Sequence, residues 1–158
     1  MADTSELHAV EPGYKNVLRI RLGLSWLLLT VIAAVAGSAL SEVTTIAWLL
    51  PVAVVLIGLA VIAVAPERIY RRLRYGLTDR LLQVVRGWLF HSDTVVPLVR
   101  VQHIDVVRGP LDKMFGTANL VVHTAGTHNS IVTVRGLAPE RAAAMRDVIR
   151  EHVRTDFA

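Results

Sequence analysis

The sequence predicts an α+β membrane protein. An N-terminal two-helix transmembrane hairpin is followed by antiparallel strands and a closing C-terminal α-helix. Three observations carry this prediction. Two uncharged apolar runs lie in close succession, short β-like runs with turn residues follow them, and an amphipathic stripe ends the chain.

The apolar runs come first. Hydrophobic residues make up 53% of the 158 residues, and the mean hydropathy is +0.49. Soluble domains hold roughly 45–50% apolar residues, and here the excess lies between Leu22 and Ala65. Leu22–Leu40 and Ile46–Ala65 carry no charge. At about 1.5 Å rise per residue, each run approaches the ~30 Å hydrocarbon thickness of a bilayer. A soluble core helix seldom runs so far without a charge, and here two do so in succession. The short link Ser41–Thr45 makes the spans antiparallel neighbours. Lys15, Arg19 and Arg21 precede the first span, Arg68, Arg71, Arg72 and Arg74 follow the second, and the link has no basic residue. The positive-inside rule then predicts cytoplasmic N- and C-termini. Trp26 and Tyr70 fall near the inner interface and Trp48 near the outer one, as an aromatic belt requires. A cleaved signal peptide is a rival, since Ala34-Val35-Ala36 fits a small-x-small site. The basic residues start too far into the chain for that reading.

Within the hairpin, Ala33 and Gly37 have small-xxx-small spacing, as do Ala34 and Ser38, and Gly58 with Ala60 offers a facing groove. Ala33, Gly37 and Gly58 are therefore the expected helix-packing residues. Pro51 lies in the first turns of its span, where a missing N–H costs least. No ionisable residue lies at mid-membrane depth. A proton relay or ion path would need one, so transport by this hairpin alone is not expected.

From Tyr70 the pattern shifts to strands. Arg74–Leu77 leads through the polar turn Thr78-Asp79-Arg80 into Leu81–Arg86, which ends at Gly87. Trp88-Leu89-Phe90 is expected to continue that strand before His91-Ser92-Asp93 breaks it. Val95–Val107 holds one or two strands around Pro97. Gly109–Gly116 reads as a short helical turn, with Pro near its start and Gly after its end. Leu120–Thr124 and Ile131–Val134 flank a polar loop, Gly126–Ser130. The last helix starts at Pro139, with Glu140 suiting its N-terminal dipole. Ala142, Met145, Ile149 and His152 or Val153 form its apolar stripe.

The segments Arg74–Asp79, Val95–Val106, Gly109–Gly116 and Leu120–Gly126, with the two spans before them, resemble the bacterial pleckstrin-homology-like membrane proteins of the YdbS type. The resemblance runs from about Val17 to Val153. It implies a PH-like antiparallel β-sandwich or barrel with a C-terminal helix, in the cytoplasmic membrane of a bacterium. It implies no catalytic residues and no general ligand. The expected organisation is a polar cytoplasmic tail over 1–16, the hairpin over 17–69 with spans at about 22–40 and 46–65, and a cytoplasmic domain over 70–158. Larger relatives carry several copies of the domain. That implies partners among other membrane proteins or PH-like paralogues, in a homo- or hetero-oligomer, with Arg100, His103 and Arg108 as a domain-interaction surface.

Several chemistries are excluded. Cysteine is absent, so there is no disulfide framework or thiol nucleophile. His91-Ser92-Asp93 and His103-Ile104-Asp105 each put two possible ligands on one strand face, but no third of fitting spacing is evident. Ser92 and Ser130 lack a nucleophile-elbow context. Phosphate-loop, dinucleotide and paired-carboxylate signatures are missing. We therefore expect no enzyme activity, no metal and no cofactor. The net charge is +4, but Arg68, Arg71, Arg72 and Arg74 crowd one end of a span. They read as topology determinants in contact with membrane lipids rather than a nucleic-acid surface. A specific anionic headgroup site is the sharper alternative. The turn Leu77-Thr78-Asp79-Arg80 carries only one base, so it lacks a dense cationic loop for such a site.

Overall fold

A computed structural model describes residues 7–41, 44–88, 90–125 and 131–156. The chain forms two compact units, Lys15–Arg68 and Met1–Tyr14 with Ile69–Ala158.

Helix α1 spans Gly13–Leu40, a 3-10 turn covers Thr45–Trp48, and α2 spans Leu49–Arg72. Only 11% of each helix's apolar stretch is buried. Leu27, Leu28, Val35, Leu56 and Leu59 each stand more than 60% exposed. A helix in a soluble core would bury such side chains, so these are faces built for lipid. Both helices outrun the uncharged stretches. α1 begins in the basic lead-in, and α2 continues through Pro66 to Arg72. Pro66 has no N–H to give to the carbonyl of Ile62. Ala33, Gly37, Pro51 and Gly58 are buried. A β-carbon on Gly37 would stand 3.2 Å from the Ala47 carbonyl oxygen and 3.3 Å from Pro51 Cδ. One on Gly58 would stand 2.9 Å from the Trp26 ring. The small residues thus let the helices of one hairpin meet. Lys15 Nζ lies 3.3 Å from Glu67 Oε2.

The second unit has two antiparallel sheets and a helix. One sheet has the order β1 (His8–Ala9), β2 (Arg74–Leu77), β3 (Leu81–Gly87) and β4 (His91–Pro97). The other has the order β5 (Val101–Val107), β6 (Ala118–Thr124) and β7 (Ile131–Leu137). Inward positions alternate along the strands: Leu82 and Val84, Leu120 and Val122, Val132 and Val134. Helix α4 (Pro139–Asp156) buries Ala142, Met145 and Ile149, the stripe read from the sequence. The short helix α3 (Pro110–Met114) sits where Gly109–Gly116 was expected.

Three details differ from the sequence reading. Residues His8 and Ala9, expected in a polar tail, form strand β1, paired with Tyr75 and Arg74. Glu11 N–H donates to the Gly136 carbonyl at 2.7 Å, binding the same stretch to β7. His91–Asp93 opens β4 instead of ending a strand. Trp88 and Phe90 belong to the β3–β4 turn, and Leu89 lies outside the described residues, as does the loop 126–130. Gly87 permits the tight turn, since a β-carbon there would come 2.8 Å from the Phe90 carbonyl oxygen.

The pairing of β1 with β2 has a topological result. Residues just before α1 hydrogen-bond with residues just after α2. The whole helical hairpin is an insertion between two adjacent strands, and its outer ends lie on one side of any membrane it crosses.

Candidate membrane interface

The arginines expected at the membrane surface fall in two places. Arg68, Arg71 and Arg72 occupy i, i+3 and i+4 of α2, the spacing that shares a helix face. Arg74 opens β2. All four are exposed. Arg72 donates from Nη1 to the Trp88 carbonyl at 3.3 Å, joining the last turn of α2 to the β3–β4 turn. Basic residues at this end also suit the negative pole of the helix dipole.

The proposed domain-interaction residues are not brought to one point. Arg100 precedes β5 and gives its carbonyl to Ala125 N–H at 2.9 Å. Arg108 follows β5 and donates from Nε to the Thr117 carbonyl at 3.2 Å. His103 lies on β5, with its Nε2 3.0 Å from Asp105 Oδ1. His123, paired across from His103 on β6, places its Nε2 3.7 Å from Asp105 Oδ2. The His103 and His123 rings lie 5.8 Å apart, tilted by 50°. Sequence spacing along one strand could not show His123, because it arrives from the neighbouring strand. Among the described residues no group of three His, Asp or Glu is arranged to hold a metal ion. In the other His-x-Asp pair, Asp93 accepts from Gln83 Nε2 at 2.8 and 3.0 Å.

Beside β5 runs a groove of about 320 Å³, lined by Gln102, His103 and Ile104 of the strand and Arg146, Arg150 and Val153 of α4. Arg146 is held by Asp147 at 2.7 Å.

The sequence reading missed the unit's main polar centre. Asp112 is 1% exposed. Its carboxylate accepts from Gly109 N–H, the Thr117 hydroxyl and Asn119 Nδ2, each at 3.0 Å. Asn119 Oδ1 in turn accepts from Gly136 N–H at 3.4 Å. This network joins α3, β6 and β7. Its only signal in the sequence was an acidic residue inside a helical turn, which usually faces water.

A lipid-exposed helical hairpin inserted into a two-sheet, helix-closed β unit defines a membrane-associated PH-like module. Residues 20–153 match the family model for the bacterial PH domain, and the chain belongs to that family. It is similar to the transmembrane protein YdbS of Bacillus subtilis (strain 168), with 33% identity over 98 residues, 61% of this chain and 60% of the relative. The chain thus spans about three fifths of the length of that relative. No solved structure matches it.

Proposed function

We propose that this chain is a non-enzymatic, membrane-anchored scaffold or accessory subunit of a protein complex in the bacterial cytoplasmic membrane. Both termini are cytoplasmic, following the arginine asymmetry about the hairpin. The carrying observation is the insertion of the hairpin between β1 and β2. The β unit is tied to its anchor through two chain connections, which suits a domain that offers its surfaces to neighbours in the membrane plane. Those neighbours are other membrane proteins, PH-like paralogues or further copies of the chain. Capture from native membranes tests this. Crosslinking before extraction, followed by mass spectrometry, should recover defined protein partners or a homo-oligomer. A chain that is monomeric in the bilayer and carries only lipid would overturn it.

A second reading, an anionic lipid-headgroup module, is favoured by the shared spacing of Arg68, Arg71 and Arg72. Saturable binding to one headgroup, lost when these three are neutralised and with other headgroups unaffected, would favour it.

A further inference from the structure

We infer that the free edge of β5 is a docking site for a short, extended, acidic segment of another protein, which adds a strand to the sheet and lies against α4. β5 ends its sheet, and β6 is its one strand partner among the described residues. An end strand leaves a row of main-chain N–H and C=O groups open to a further strand. Proteins often blunt such edges with proline or lysine, and Val101–Val107 has neither. The opposite end of the sheet is occupied at one point, where the Gly136 carbonyl of β7 accepts from Glu11 N–H.

The groove beside β5 runs along this edge. Successive residues of a strand point to opposite faces of a sheet. The groove nevertheless touches both Ile104, which pairs with buried Val122, and His103, which pairs with half-buried His123. A cavity reached from both faces lies at the margin of the strand, where main chain is accessible. The register of β5 on β6 shifts between Val101 and His103, so Gln102 is an extra residue in the strand. Bulges of this kind recur at sheet edges beside functional sites, where they re-aim side chains, and Gln102 lines the groove.

Charge selects the occupant. The facing wall is Arg146 and Arg150, one turn apart on α4, with Val153 beyond them. Among the described residues no carboxylate lines the groove. Asp147 offsets part of the charge of Arg146, while Arg150 is exposed. Asp105, the acid of β5, faces His103 and His123 instead. A docked strand alternates its side chains between two faces, so acidic residues at every second position suit the arginines. Ile104 and Val153 add apolar contact. A small anion would use the arginines and leave the edge unpaired, so a polypeptide is the better fit. Strand addition of this kind draws affinity from main-chain hydrogen bonds and specificity from alternate side chains.

The inference rests on the scaffold reading and gives it a surface. The probe is a phage-displayed library of random peptides, panned on the full chain in lipid nanodiscs at low salt. Enriched peptides should carry carboxylates at alternate positions. Synthetic copies should bind the wild type saturably, and several-fold more weakly when Arg146→Gln and Arg150→Gln are combined. Methylating every second peptide nitrogen, in one of the two registers, should abolish binding by removing the donors to the β5 edge. With peptide bound, hydrogen exchange should slow in β5 and not in β4, the end strand of the other sheet. Unchanged exchange in β6 and β7 without peptide confirms that the double variant is folded. Failure to enrich peptides, enrichment of basic ones, or binding that survives the double change or methylation in both registers overturns the inference. Crosslinking in native membranes separates it from the scaffold reading. Partners recovered equally by wild type and double variant keep the scaffold and remove the groove. No partner for either removes the scaffold reading and this inference with it.

Discussion

The indole of Trp26 lies directly on the backbone of Gly58, with Cε3 2.9 Å from where a β-carbon would stand. The two helices therefore approach at a point where position 58 has no room for a side chain. Without a hydrophobic drive inside lipid, such close packing is what holds helices together. Gly58→Leu should insert normally, because it adds no polarity, but should loosen the hairpin. Overpacking of this kind costs roughly 1–3 kcal/mol. Thermal unfolding in mild detergent should show a lowered midpoint, and an unchanged midpoint would contradict the packing described.

Gly37 separates two roles that the sequence left together. Its near neighbours, Ala47 and Pro51, belong to the same hairpin. Gly37→Leu should therefore lower hairpin stability at any protein concentration. Assembly, which we propose on other grounds, is best read by single-molecule photobleaching in native membranes. More than one copy per spot, or a co-purifying membrane protein, is the expected result for the wild type.

Asp112→Ala should be the most damaging single change in the β unit. It leaves the Gly109 N–H, the Thr117 hydroxyl and the Asn119 amide without their carboxylate acceptor. Thr117 is buried, whereas Gly109 and Asn119 are half-buried, and a buried unsatisfied group costs roughly 1–3 kcal/mol, so a loss of that order is expected. Asp112→Asn keeps part of the acceptor set and should cost less. Hydrogen exchange in β6 and β7 is the readout. Equal protection in wild type and Asp112→Ala would refute the network's role.

Orientation is open to chemistry. Single cysteines at Ser41, between the helices, and at Ser92, exposed on β4, should react oppositely with an impermeant thiol reagent. In intact cells Ser41→Cys should label and Ser92→Cys should not, until the cells are lysed. The reverse pattern would place the β unit outside.

Neutralising Arg71, Arg72 and Arg74 together should weaken preference for anionic vesicles while leaving the chain inserted. Each juxtamembrane arginine contributes about 1 kcal/mol or less, screened over the ~10 Å Debye length at 0.1 M salt. Vesicle flotation at low and high salt is the measurement. Release of the chain into the soluble fraction would show that the helices are not the anchor.

The hairpin was readable because its signal is additive: many uncharged apolar residues follow one another in two successive runs. The stripe Ala142, Met145, Ile149 was readable for the same reason, as a repeating period. Strand β1 was not, since two residues have no period and His8 pairs with Tyr75 only after the chain has crossed both helices. The turn at Trp88 and Phe90 was misread because aromatic residues carry strand propensity, and Gly87 decided the outcome through a contact three residues on. Asp112 was invisible as a buried group because its partners, Thr117 and Asn119, meet it only once α3 has turned the chain. Gly37 and Gly58 suggested a seam by their small-residue spacing. Which surface they meet, the other helix of the same hairpin, required coordinates.

Placing the hairpin inside the strand order makes the sheet a checkpoint on biogenesis. The residues of β1 are made before both helices, and their partner strand β2 only after them. A chain inserted with a single crossing would leave His8 on one side of the bilayer and Tyr75 on the other, and β1 could not pair with β2. The β1–β2 pair therefore forms only when the two strands end on the same side of the bilayer. Mis-inserted chains keep an open β2 edge, a feature by which quality control could tell them apart.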